Sequence, residues 1–502
     1  MSDFKIKQLD AVNLKVECEK GFAKELSDFF TFMVPNYQYT PAYRNKYWDG
    51  KIRLFNYYNR TIYTGLLSHL KKFCEDRNYS YSLDLIKSND HNCESIDDFI
   101  ENLTISDGKK EISLHDHQRK AVNEALLNQR CLLLSPTGSG KSLIIYTLLR
   151  YYMSCTDSSK KFLIIVPTTG LASQMKSDLL DYSALDSSFN EKDIHVIFSG
   201  KEKETDCRVI ISTWQSLYKM PESYFRDVAG VFGDECHLYK AKSLVELMTK
   251  MKNAYIRVGT TGTLDDTKTH KLVIEGLFGP TIRVTSTVKL IEKNILSQLK
   301  INCITLKYSE EDCAQVKRAK YQEEVDWLVS SDARNQFIVD LSIKLKGNTL
   351  VLFNYVEKHG KPLYERLRDA TESPVYFIHG STDVEEREMI RKIIDKDENS
   401  ILLASYGTCS TGINIRNIHN IVFAFPSKSV IRVLQSIGRG LRTSDTKDVA
   451  KLYDIGDDLC YKSYKNHTLK HLDERIKIYN NEGFNYEQIA IRIQGGSDEN
   501  IL

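Results

Sequence analysis

The sequence predicts two consecutive α/β domains, each a parallel sheet covered by helices, with a small α+β domain before them and a short helical extension after them. From about residue 109, compact apolar runs alternate with segments of helical period. A polar, charged stretch at roughly 285–345 interrupts this pattern, which then resumes. Buried strands that alternate with helices are typical of parallel sheets covered on both faces.

The predicted strands are short apolar runs, the pattern of strands buried on both faces. In the first α/β domain they are residues 131–135, 162–167, 195–200, 208–213 and 230–235. In the second they are residues 348–354, 375–380, 399–405, 420–425 and 451–455. In the tail, apolar residues recur at a helical spacing, at Leu469, Leu472, Ile476 and Tyr479. We therefore expect domains at 1–108, 109–285 and 286–455, with the extension at 456–502.

Composition excludes several classes of protein. The 502 residues are 41% hydrophobic and 27% charged, with 25 Gly and 9 Pro, which excludes collagen-like, low-complexity and mostly disordered chains. The length favours three domains at about 150 residues each. Because 69 Lys and Arg face 67 Asp and Glu, the net charge is only +2, which argues against coating nucleic acid by bulk charge but not against a local basic patch.

Cysteine usage and the N-terminus bear on the compartment. The 11 cysteines are scattered without a CxxC pair, so we expect neither a disulfide framework nor a zinc ribbon, and a reducing cytosol fits them. The polar N-terminus has no apolar signal core, and no uncharged apolar run approaches the ~18 residues that span a bilayer. The expectation is a soluble, cytoplasmic protein with no membrane partner.

Residues 35–60 interleave eight aromatic with five basic side chains, against the single acid Asp49. Asp49 and Gly50 suit a type I′ turn, which predicts a hairpin between strands at 43–48 and 51–58. Two interpretations stay open: the aromatic residues form a small core, or they also grip nucleic acid by stacking and phosphate contacts. The candidate contact residues are Arg44, Lys46, Trp48, Lys51 and Arg53.

Residues 131–143, CLLLSPTGSGKSL, run from an apolar strand through a Gly- and Ser-rich loop into a helix. Glycines let backbone N–H groups close around phosphate oxygens, and the helix N-terminus adds a favourable dipole. Lys141 would neutralise the β- and γ-phosphates, and the Ser142 hydroxyl would ligate Mg²⁺. The strict pattern has Gly at position 135, where this chain has Ser. The candidate nucleotide-binding residues are Ser135, Pro136, Thr137, Gly138, Ser139, Gly140, Lys141 and Ser142.

Two further motifs suit the same chemistry. A buried strand at 230–235 ends in two acids, of which Asp234 would hold Mg²⁺ and Glu235 would orient or deprotonate the attacking water. About 300 residues beyond the phosphate loop, QSIGRGLR (435–442) places Arg439 and Arg442 on one helical face. Guanidinium groups suit bidentate phosphate contact, so these arginines would stabilise transition-state charge across an interdomain cleft.

Taken in order, these motifs resemble those of superfamily 2 helicases, over residues 112 to 456. The matching segments are LHDHQ (114–118), SPTGSGKS (135–142), PTTGLASQ (167–174), STWQSL (212–217), DECH (234–237), GTTGTL (259–264), LFNYVEKHG (352–360), YFIHGST (376–382), ASYGTCSTGINI (404–415) and QSIGRGLR. Within the superfamily the chain looks closest to the XPB-like branch. It departs from the family pattern at Cys236, where Ala is usual, and in QSIGRGLR, which lacks the first arginine and so places more of the γ-phosphate role on Arg439 and Arg442.

The resemblance implies a fold of two tandem RecA-like domains and a nucleic-acid-stimulated ATPase and DNA helicase with ATP and Mg²⁺ as cofactors. It implies that Gln118 reads the adenine edge, that Gln435 contacts the nucleotide, and that Thr261 and Thr263 couple hydrolysis to movement. It also implies that Thr168, Thr213 and Thr408 grip a nucleic-acid backbone. The implied partners are single-stranded, double-stranded and branched DNA, RNA in RNA–DNA hybrids, and recombination or single-strand-binding proteins, with a monomer favoured. Forks, Holliday-type junctions and R-loops are the implied substrates, in recombination, repair and replication.

Two other functions stay open at this point. One is a translocase subunit of a larger complex that moves on nucleic acid without separating strands. The other is a nucleic-acid-binding scaffold whose ATPase has decayed, although Lys141, Asp234, Glu235 and both arginines are present together.

The tail carries its own basic residues, for which a solvated helix face is favoured over a phosphate-contacting one. They are Lys462, Lys465, Lys470, Arg475 and Lys477, together with His467 and His471.

Overall fold

The computed structural model describes residues 2–493 apart from 36, 87–94, 199–201, 240, 265–267, 413–414, 416, 428, 430–437 and 439–448. Backbone contacts divide the chain into two units, Met1–Ser135 with Gly140–Val284, and Pro136–Ser139 with Thr285–Leu502. No helix among the described residues is long and apolar enough to cross a membrane. Nine of the described cysteines are free, and Cys155 is disulfide-bonded.

Unit 1 begins with a small α+β region. Its elements are β1 (Phe4–Gln8), β2 (Asn13–Glu17), α1 (Lys20–Phe29), β3 (Thr31–Met33), α2 (Pro41–Arg44), β4 (Lys51–Arg53), β5 (Phe55–Asn56), β6 (Thr61–Tyr63), α3 (Leu67–Glu75), β7 (Tyr81–Asp84), α4 (Ile96–Asn102), β8 (Ile105–Ser106) and β9 (Glu111–Ile112). Five strands form one sheet in the order β5-β6-β2-β1-β7, and two antiparallel pairs, β3–β4 and β8–β9, stand apart from it. The β8–β9 pair spans the predicted boundary at residue 108, which stays a prediction.

The predicted hairpin around Asp49 and Gly50 is wrong. Residues Pro41–Arg44 form a short helix instead of a strand, because Pro41 occupies its first turn and Thr40 caps it by accepting a hydrogen bond from the Tyr43 amide. The strand that follows the turn, β4, pairs antiparallel with β3 rather than with 43–48. Alternation of aromatic and basic residues therefore did not identify the pairing partner.

The rest of unit 1 is a parallel sheet flanked by helices. Its elements are α5 (Asp116–Asn128), β10 (Arg130–Leu134), α6 (Lys141–Cys155), β11 (Lys161–Val166), α7 (Thr169–Tyr182), β12 (Ile194–Ile197), β13 (Val209–Thr213), α8 (Trp214–Leu217), β14 (Val228–Gly233), α9 (Lys242–Thr249), β15 (Ile256–Thr261), α10 (Lys268–Phe278) and β16 (Thr281–Arg283). The seven strands run parallel in the order β12-β13-β11-β14-β15-β10-β16. All five predicted strands are confirmed, and β15 and β16 were not predicted.

The N-terminal region packs on α10 of the same unit. Leu272 and Val273 of α10 belong to the apolar cluster that forms the core of the N-terminal region. Arg130, at the start of β10, donates to the carbonyl oxygens of Ala11 (3.0 Å) and Leu277 (3.2 Å). One buried guanidinium thus joins the N-terminal region, the end of α10 and the strand that leads into the phosphate loop.

A glycine lies where the N-terminal region approaches α10 most closely. A Cβ on Gly65 would lie 2.0 Å from the Glu275 carbonyl oxygen and 2.7 Å from that of Gly276. Beside it, His69 Nε2 is 2.8 Å from the buried Glu275 carboxylate. Burial alone would raise the pKa of Glu275, but the hydrogen bonds from His69 and Thr281 lower that pKa below its ordinary value. This contact therefore requires glycine at position 65.

Replacing Gly65 by Ala is expected to lower the free energy of unfolding by about 1–3 kcal/mol, because the added methyl group meets a backbone carbonyl that cannot rotate away. Urea denaturation measures the effect. Gly21→Ala is the matched control, because Gly21 lies in α1 and a Cβ there would have nothing within 4 Å. This control should leave stability unchanged or raise it by about 0.5–1 kcal/mol, the helix preference of Ala over Gly. Equal stabilities of the two variants would contradict the close contact.

Unit 2 contains a second parallel sheet. Its elements are α11 (Thr287–Glu292), β17 (Gln298–Lys307), α12 (Glu310–Gln315), α13 (Tyr321–Ser330), α14 (Asp332–Lys344), β18 (Thr349–Phe353), α15 (Lys361–Ala370), β19 (Val375–Ile378), α16 (Val384–Ile394), β20 (Ile401–Ser405), α17 (Tyr406–Gly412), β21 (Asn420–Phe423), β22 (Val449–Asp458), α18 (His467–Glu482) and β23 (Tyr486–Arg492). The seven strands run parallel in the order β19-β20-β18-β21-β22-β17-β23. The five predicted strands are confirmed, and β17 and β23 were not predicted.

The C-terminal segment is part of the second sheet as well as helical. Strand β23 pairs with β17, and α18 is held by Glu324, a fully buried carboxylate that accepts hydrogen bonds from the backbone N–H groups of His467 (2.9 Å) and Thr468 (2.7 Å). Arg475 of α18 is 1% exposed and donates to both carboxylate oxygens of Asp454. The expectation that Arg475 belongs to a solvated face is therefore wrong, because its charge is paired inside the fold.

Candidate functional site

The predicted phosphate loop connects the end of β10 to the start of α6. Gly138 and Gly140 have φ values of +83° and +80°, a left-handed conformation that glycine adopts without steric cost. The turn, which includes Thr137, is closed by Ser139 Oγ, which donates to the Pro136 carbonyl oxygen at 2.7 Å. Lys141 is the first residue of α6. The segment therefore has the strand–turn–helix geometry that presents backbone N–H groups and a helix N-terminus to an anion.

Two residues hold the loop against the rest of unit 1. Ser135, which is fully buried, donates its backbone N–H to the Thr261 carbonyl oxygen at 2.9 Å. Gln118, also buried, accepts a hydrogen bond from the His115 backbone N–H through Oε1 (2.9 Å). A Cβ on Gly140 would lie 2.2 Å from Gln118 Nε2, so the amide group packs directly on the loop. The fold thus brings Gln118 and the loop together, and its reading of the adenine edge stays a prediction.

The Ser142 hydroxyl has a partner that sequence analysis did not find. Its oxygen lies 2.9 Å from the hydroxyl of Tyr182, the last residue of α7 and 40 positions away. No sequence signal links the two, because their proximity depends on the packing of α6 against α7. A cation bound at Ser142 would share this hydroxyl with Tyr182.

The predicted acid pair follows β14, one strand away from β15 and two from β10 in the sheet. Asp234 Oδ1 accepts a hydrogen bond from Thr260 Oγ1 at 2.9 Å. Burial raises the pKa of Asp234, and the negative charge of Glu235 raises it further, while the Lys141 ammonium opposes both. The site therefore carries more negative charge than Lys141 alone offsets, and a divalent cation would relieve it.

A chain of polar contacts connects the acid pair to the GTTGTL segment. His237 Nδ1 lies 3.3 Å from Glu235 Oε2 and 3.0 Å from Thr261 Oγ1. Since the Thr261 hydroxyl donates to the Thr263 carbonyl oxygen (2.9 Å), His237 Nδ1 must carry the proton and donate to Thr261. Glu235 itself has φ +48°, a strained conformation for a residue with a side chain. A movement of Glu235 would therefore displace His237 and, through it, Thr261 and Thr263.

Cys236, the departure from the usual Ala, fills space between two strands. Its sulfur would lie 2.8 Å from a Cβ on Gly233 and 2.7 Å from one on Gly259. Burial raises the pKa of the Cys236 thiol well above its ordinary value, so the group stays protonated. Cysteine is accommodated here because both neighbouring strands carry glycine opposite it.

The three threonines predicted to grip nucleic acid lie at the carboxyl ends of strands. Thr168 follows β11 and Thr213 ends β13, its neighbour in the first sheet, while Thr408 follows β20 in unit 2. The hydroxyls of Thr213 and Thr408 lie 3.0 Å from Ser216 Oγ and 2.8 Å from Ser405 Oγ, and both threonines are buried. Thr213 and Thr408 could therefore contact a ligand only if these hydroxyl pairs first rearranged.

The aromatic residues at 35–60 divide between core and surface. Phe55 is 1% exposed and belongs to the N-terminal core. Tyr39, Tyr47 and Tyr58 are 66%, 87% and 91% exposed. Phe55 is therefore a core residue, as the first interpretation expects, while contact of the three exposed tyrosines with nucleic acid stays a prediction.

The basic residues of the same segment also differ in availability. Arg53 is ion-paired with Asp49, and its hydrogen bond lowers the pKa of that carboxyl to about 2. Arg44, Lys46 and Lys51 are less constrained, and Lys46 and Lys51 are exposed. We call Arg44, Lys46 and Lys51 together with Tyr39, Tyr47 and Tyr58 the basic-aromatic patch. Trp48 is partly exposed and donates its indole N–H to the Lys51 carbonyl oxygen at 2.9 Å, and its contact with nucleic acid stays a prediction.

The predicted residues of the QSIGRGLR segment, Gln435, Arg439 and Arg442, lie outside the described residues. Their roles stay predictions.

Comparison with known proteins gives three family matches. A profile described as the N-terminal domain of the DNA helicase UvsW matches residues 3–84, one described as the res subunit of type III restriction enzymes matches residues 111–266, and one described as the helicase conserved C-terminal domain matches residues 333–444. In chain order, they cover most of the N-terminal region and part of each parallel sheet.

The ATP-dependent DNA helicase UvsW of Enterobacteria phage T4 is 35% identical to this chain over 98% of the chain and 100% of its own length. The chain belongs to the UvsW family of superfamily 2 helicases. A crystal structure of T4 UvsW matches 98% of this chain and 100% of its own with a TM-score of 0.51 and 33% identity. The DNA 3′-5′ translocase XPB2 of Sulfurisphaera tokodaii is 28% identical over 37% of this chain and 39% of its own. The two-sheet fold with a small N-terminal region, predicted as tandem RecA-like domains, is thus confirmed for this UvsW-family chain.

Three residues at the site were missed by sequence analysis. His237 stands within the DECH motif and Thr260 within GTTGTL, so their positions beside Asp234 and Glu235 carried a signal that was overlooked. Tyr182 carried none, since it lies in an unremarkable helix end.

Proposed function

We propose that this chain hydrolyses ATP at the phosphate loop that follows β10 and the acid pair that follows β14, and uses the energy to remodel branched DNA at forks, Holliday-type junctions and R-loops. As a UvsW-family helicase, the chain is an enzyme that uses ATP and acts on nucleic acid. Work on such substrates would serve recombination, repair and replication. RNA in RNA–DNA hybrids, recombination or single-strand-binding proteins as partners, a monomeric state and a cytoplasmic location belong to the same proposal.

One observation carries the ATPase part of the proposal. The loop that follows β10, the acids that follow β14 and Thr261 at the end of β15 lie at the carboxyl edge of three adjacent parallel strands. Ligands of open parallel sheets bind at this edge. A phosphate-binding loop, an acid pair and a polar connection to the next strand are the parts that nucleotide hydrolysis needs.

Mg²⁺ suits the donors at this site. Among the described residues, no group of three or more His, Cys, Asp and Glu side chains is placed to hold a metal ion. Mg²⁺ instead takes one or two carboxylates, with water and phosphate oxygens completing its shell. Asp234 and the Ser142 hydroxyl would hold it. The bound ion would neutralise charge on the β- and γ-phosphates.

The remaining roles follow from the chemistry of each side chain. Lys141 binds the phosphates, Gln118 orients the adenine edge, and Glu235 accepts a proton from the attacking water. Arg439 and Arg442 would stabilise the transition-state charge, with Gln435 beside them. Because His237 lies beside both Glu235 and Thr261, a change at Glu235 would reach Thr261 and Thr263. This supports their proposed role in coupling ATP hydrolysis to movement.

The basic-aromatic patch supports a role in substrate choice. Exposed tyrosines offer stacking faces that tolerate any base, and Lys and Arg side chains bind phosphates without reading sequence. The patch lies in the N-terminal region, which is anchored on α10 of the same unit that carries the ATP site. The patch would therefore hold duplex DNA near a junction. Thr168, Thr213 and Thr408, at the ends of β-strands, would contact the DNA strand that is moved.

Replacing Arg44, Lys46 and Lys51 together by Gln is expected to weaken fork binding and to make it less salt-dependent. The slope of the logarithm of the binding constant against the logarithm of the salt concentration should become shallower by about 0.9 for each phosphate that is no longer neutralised. Single-strand-stimulated ATPase should persist, because the ATP site is unchanged. Fluorescence anisotropy over a salt series measures the effect. Lys24→Gln, an exposed lysine of α1 paired with Asp28, is the matched control. Unchanged fork binding in the triple variant would refute the role of the patch.

Point variants are preferable to deleting residues 1–108, since deletion would expose Leu272 and Val273.

The proposed function as a whole is tested by ATP turnover and strand displacement across a panel of single strand, duplex, fork, four-way junction and R-loop. We expect stimulation and displacement to be greatest with the branched substrates. Stimulated turnover without strand displacement would favour a translocase. Absence of turnover with every nucleic acid would indicate a scaffold.

A further inference from the structure

A cavity of about 430 Å³ is lined by residues of unit 2. Four of its lining residues carry rings and three carry small polar groups. The rings belong to Tyr321, Phe425, His467 and His471. The polar groups belong to Asn354, Ser427 and Ser429. None of these lining residues carries a carboxylate, an ammonium or a guanidinium group.

We propose that this cavity binds a nucleobase, as a second contact between the protein and its nucleotide-containing ligands. The proposal rests on the proposed function. The volume is within the range of about 300–1,000 Å³ that small-molecule sites occupy. Unstacked bases are held by aromatic faces together with hydrogen bonds to their edges, and the lining supplies both.

The side chains of the described lining suit a base better than the other obvious ligands. A phosphate group is bound by Lys, Arg or a set of backbone N–H groups, and a hard cation by carboxylates. The described lining provides no charged side chain for either. A planar, neutral group with a polar edge is what aromatic rings, an amide and hydroxyls jointly recognise.

The ring positions suit stacking. Tyr321 and His471 have centroids 5.0 Å apart at an interplanar angle of 50°, and His467 lies 6.3 Å from Tyr321. Tyr321 is 37% exposed at the start of α13, where its ring is accessible from solvent. His471 Nδ1 lies 3.1 Å from the Pro426 carbonyl oxygen, so Nδ1 carries the proton and this hydrogen bond fixes the orientation of the ring. The Asn354 amide would then bind the edge of a base that stacks on these rings.

The location also favours a nucleotide. Asn354 follows β18 and Phe425 follows β21, which are neighbours in the second sheet, so the cavity opens at the carboxyl edge. Strand β20, on the other side of β18, leads into Thr408 at the same edge. The cavity is therefore next to a predicted nucleic-acid contact, and two of its rings, His467 and His471, come from the C-terminal helix beyond the helicase motifs.

The base could belong to a bound strand or to a free nucleotide, and the test separates the two. Tyr321→Ala and Tyr321→Phe are compared with Lys477→Ala, an exposed α18 residue paired with Glu474 that does not line the cavity. The full-length variants are titrated with an oligothymidylate, an abasic oligonucleotide of the same length and ATP. For a strand base, Tyr321→Ala is expected to lose about tenfold in oligothymidylate affinity, as removal of one stacking ring does, with abasic binding unchanged and Tyr321→Phe close to wild type.

For a free nucleotide, Tyr321→Ala should instead raise the KM for ATP with oligothymidylate affinity unchanged. Unchanged affinity for oligothymidylate and an unchanged KM would overturn the proposal, as would an equal loss with the abasic strand, which indicates a backbone contact. Wild-type and Lys477→Ala turnover with DNA are measured alongside. If neither is stimulated by DNA, the proposed function itself fails, a result distinct from failure of the cavity.

Discussion

Replacing Glu235 by Gln is expected to lower DNA-stimulated ATP turnover by about 10²–10⁴-fold, because an amide cannot accept the proton of the attacking water. Nucleotide binding should persist, since Lys141, Ser142 and Asp234 are retained. Lys141→Ala should lower both binding and turnover, because it removes the ammonium that faces the phosphates. Steady-state turnover combined with equilibrium binding of a fluorescent ATP analogue separates the two effects.

Glu246→Gln is the matched control for this pair. Glu246 is an exposed carboxylate on α9 of the same unit, 3.9 Å from Lys242. The control variant should hydrolyse ATP at the wild-type rate. Near-wild-type turnover in Glu235→Gln or in Lys141→Ala would remove that residue from the proposed active site, whatever the fold.

Replacing Arg475 by Met is expected to lower the free energy of unfolding by about 3–5 kcal/mol, because it leaves the fully buried Asp454 carboxylate without its cation. The Tyr479 hydroxyl, which donates to Asp454 Oδ2 at 2.7 Å, cannot replace a positive charge. Urea denaturation followed by a probe in unit 2 measures the loss. The double variant Arg475→Met, Asp454→Asn should lose less than the single one, since no buried charge is then unpaired.

Lys477→Met provides the comparison on the same helix. Lys477 is exposed and paired only with Glu474 in the described part of the chain, so its replacement should change stability by less than about 1 kcal/mol. If Arg475→Met proved as mild as Lys477→Met, the buried pair would contribute little, and the C-terminal helix would be held mainly by its apolar face.

The parts of the proposed ATP site that sequence analysis predicted are contiguous in the chain. The strand, the turn and the helix start at 131–143 are local in their physics, because glycine conformation and helix N-termini depend on a few neighbouring residues. The acid pair at the end of β14 is local in the same way. Ten buried strands were also predicted, since an apolar run flanked by turns needs no information about its neighbours.

The predictions that proved wrong concern features that depend on other parts of the chain. Residues 43–48 alternate like a strand, yet Pro41 and Thr40 start a helix there and β4 pairs with β3 instead. Arg475 has the spacing of a solvated residue, yet Asp454, 21 positions away, pairs with it in the core. Strands β17 and β23 mix apolar with polar and charged residues, and β17 pairs with β22 on one side and β23 on the other, contacts that no local run shows.

The sequence by itself determined that this chain has two parallel-sheet domains and which residues are the candidates for binding and cleaving a nucleotide, because short motifs carry that chemistry. Only the tertiary structure decided that Tyr182 meets Ser142, that His237 connects Glu235 to Thr261, and that four rings surround a cavity beside β18. It also decided which tyrosines of the basic-aromatic patch face solvent. These contacts join residues that are distant in the chain, and their proximity depends on how helices and strands pack, which no local pattern encodes.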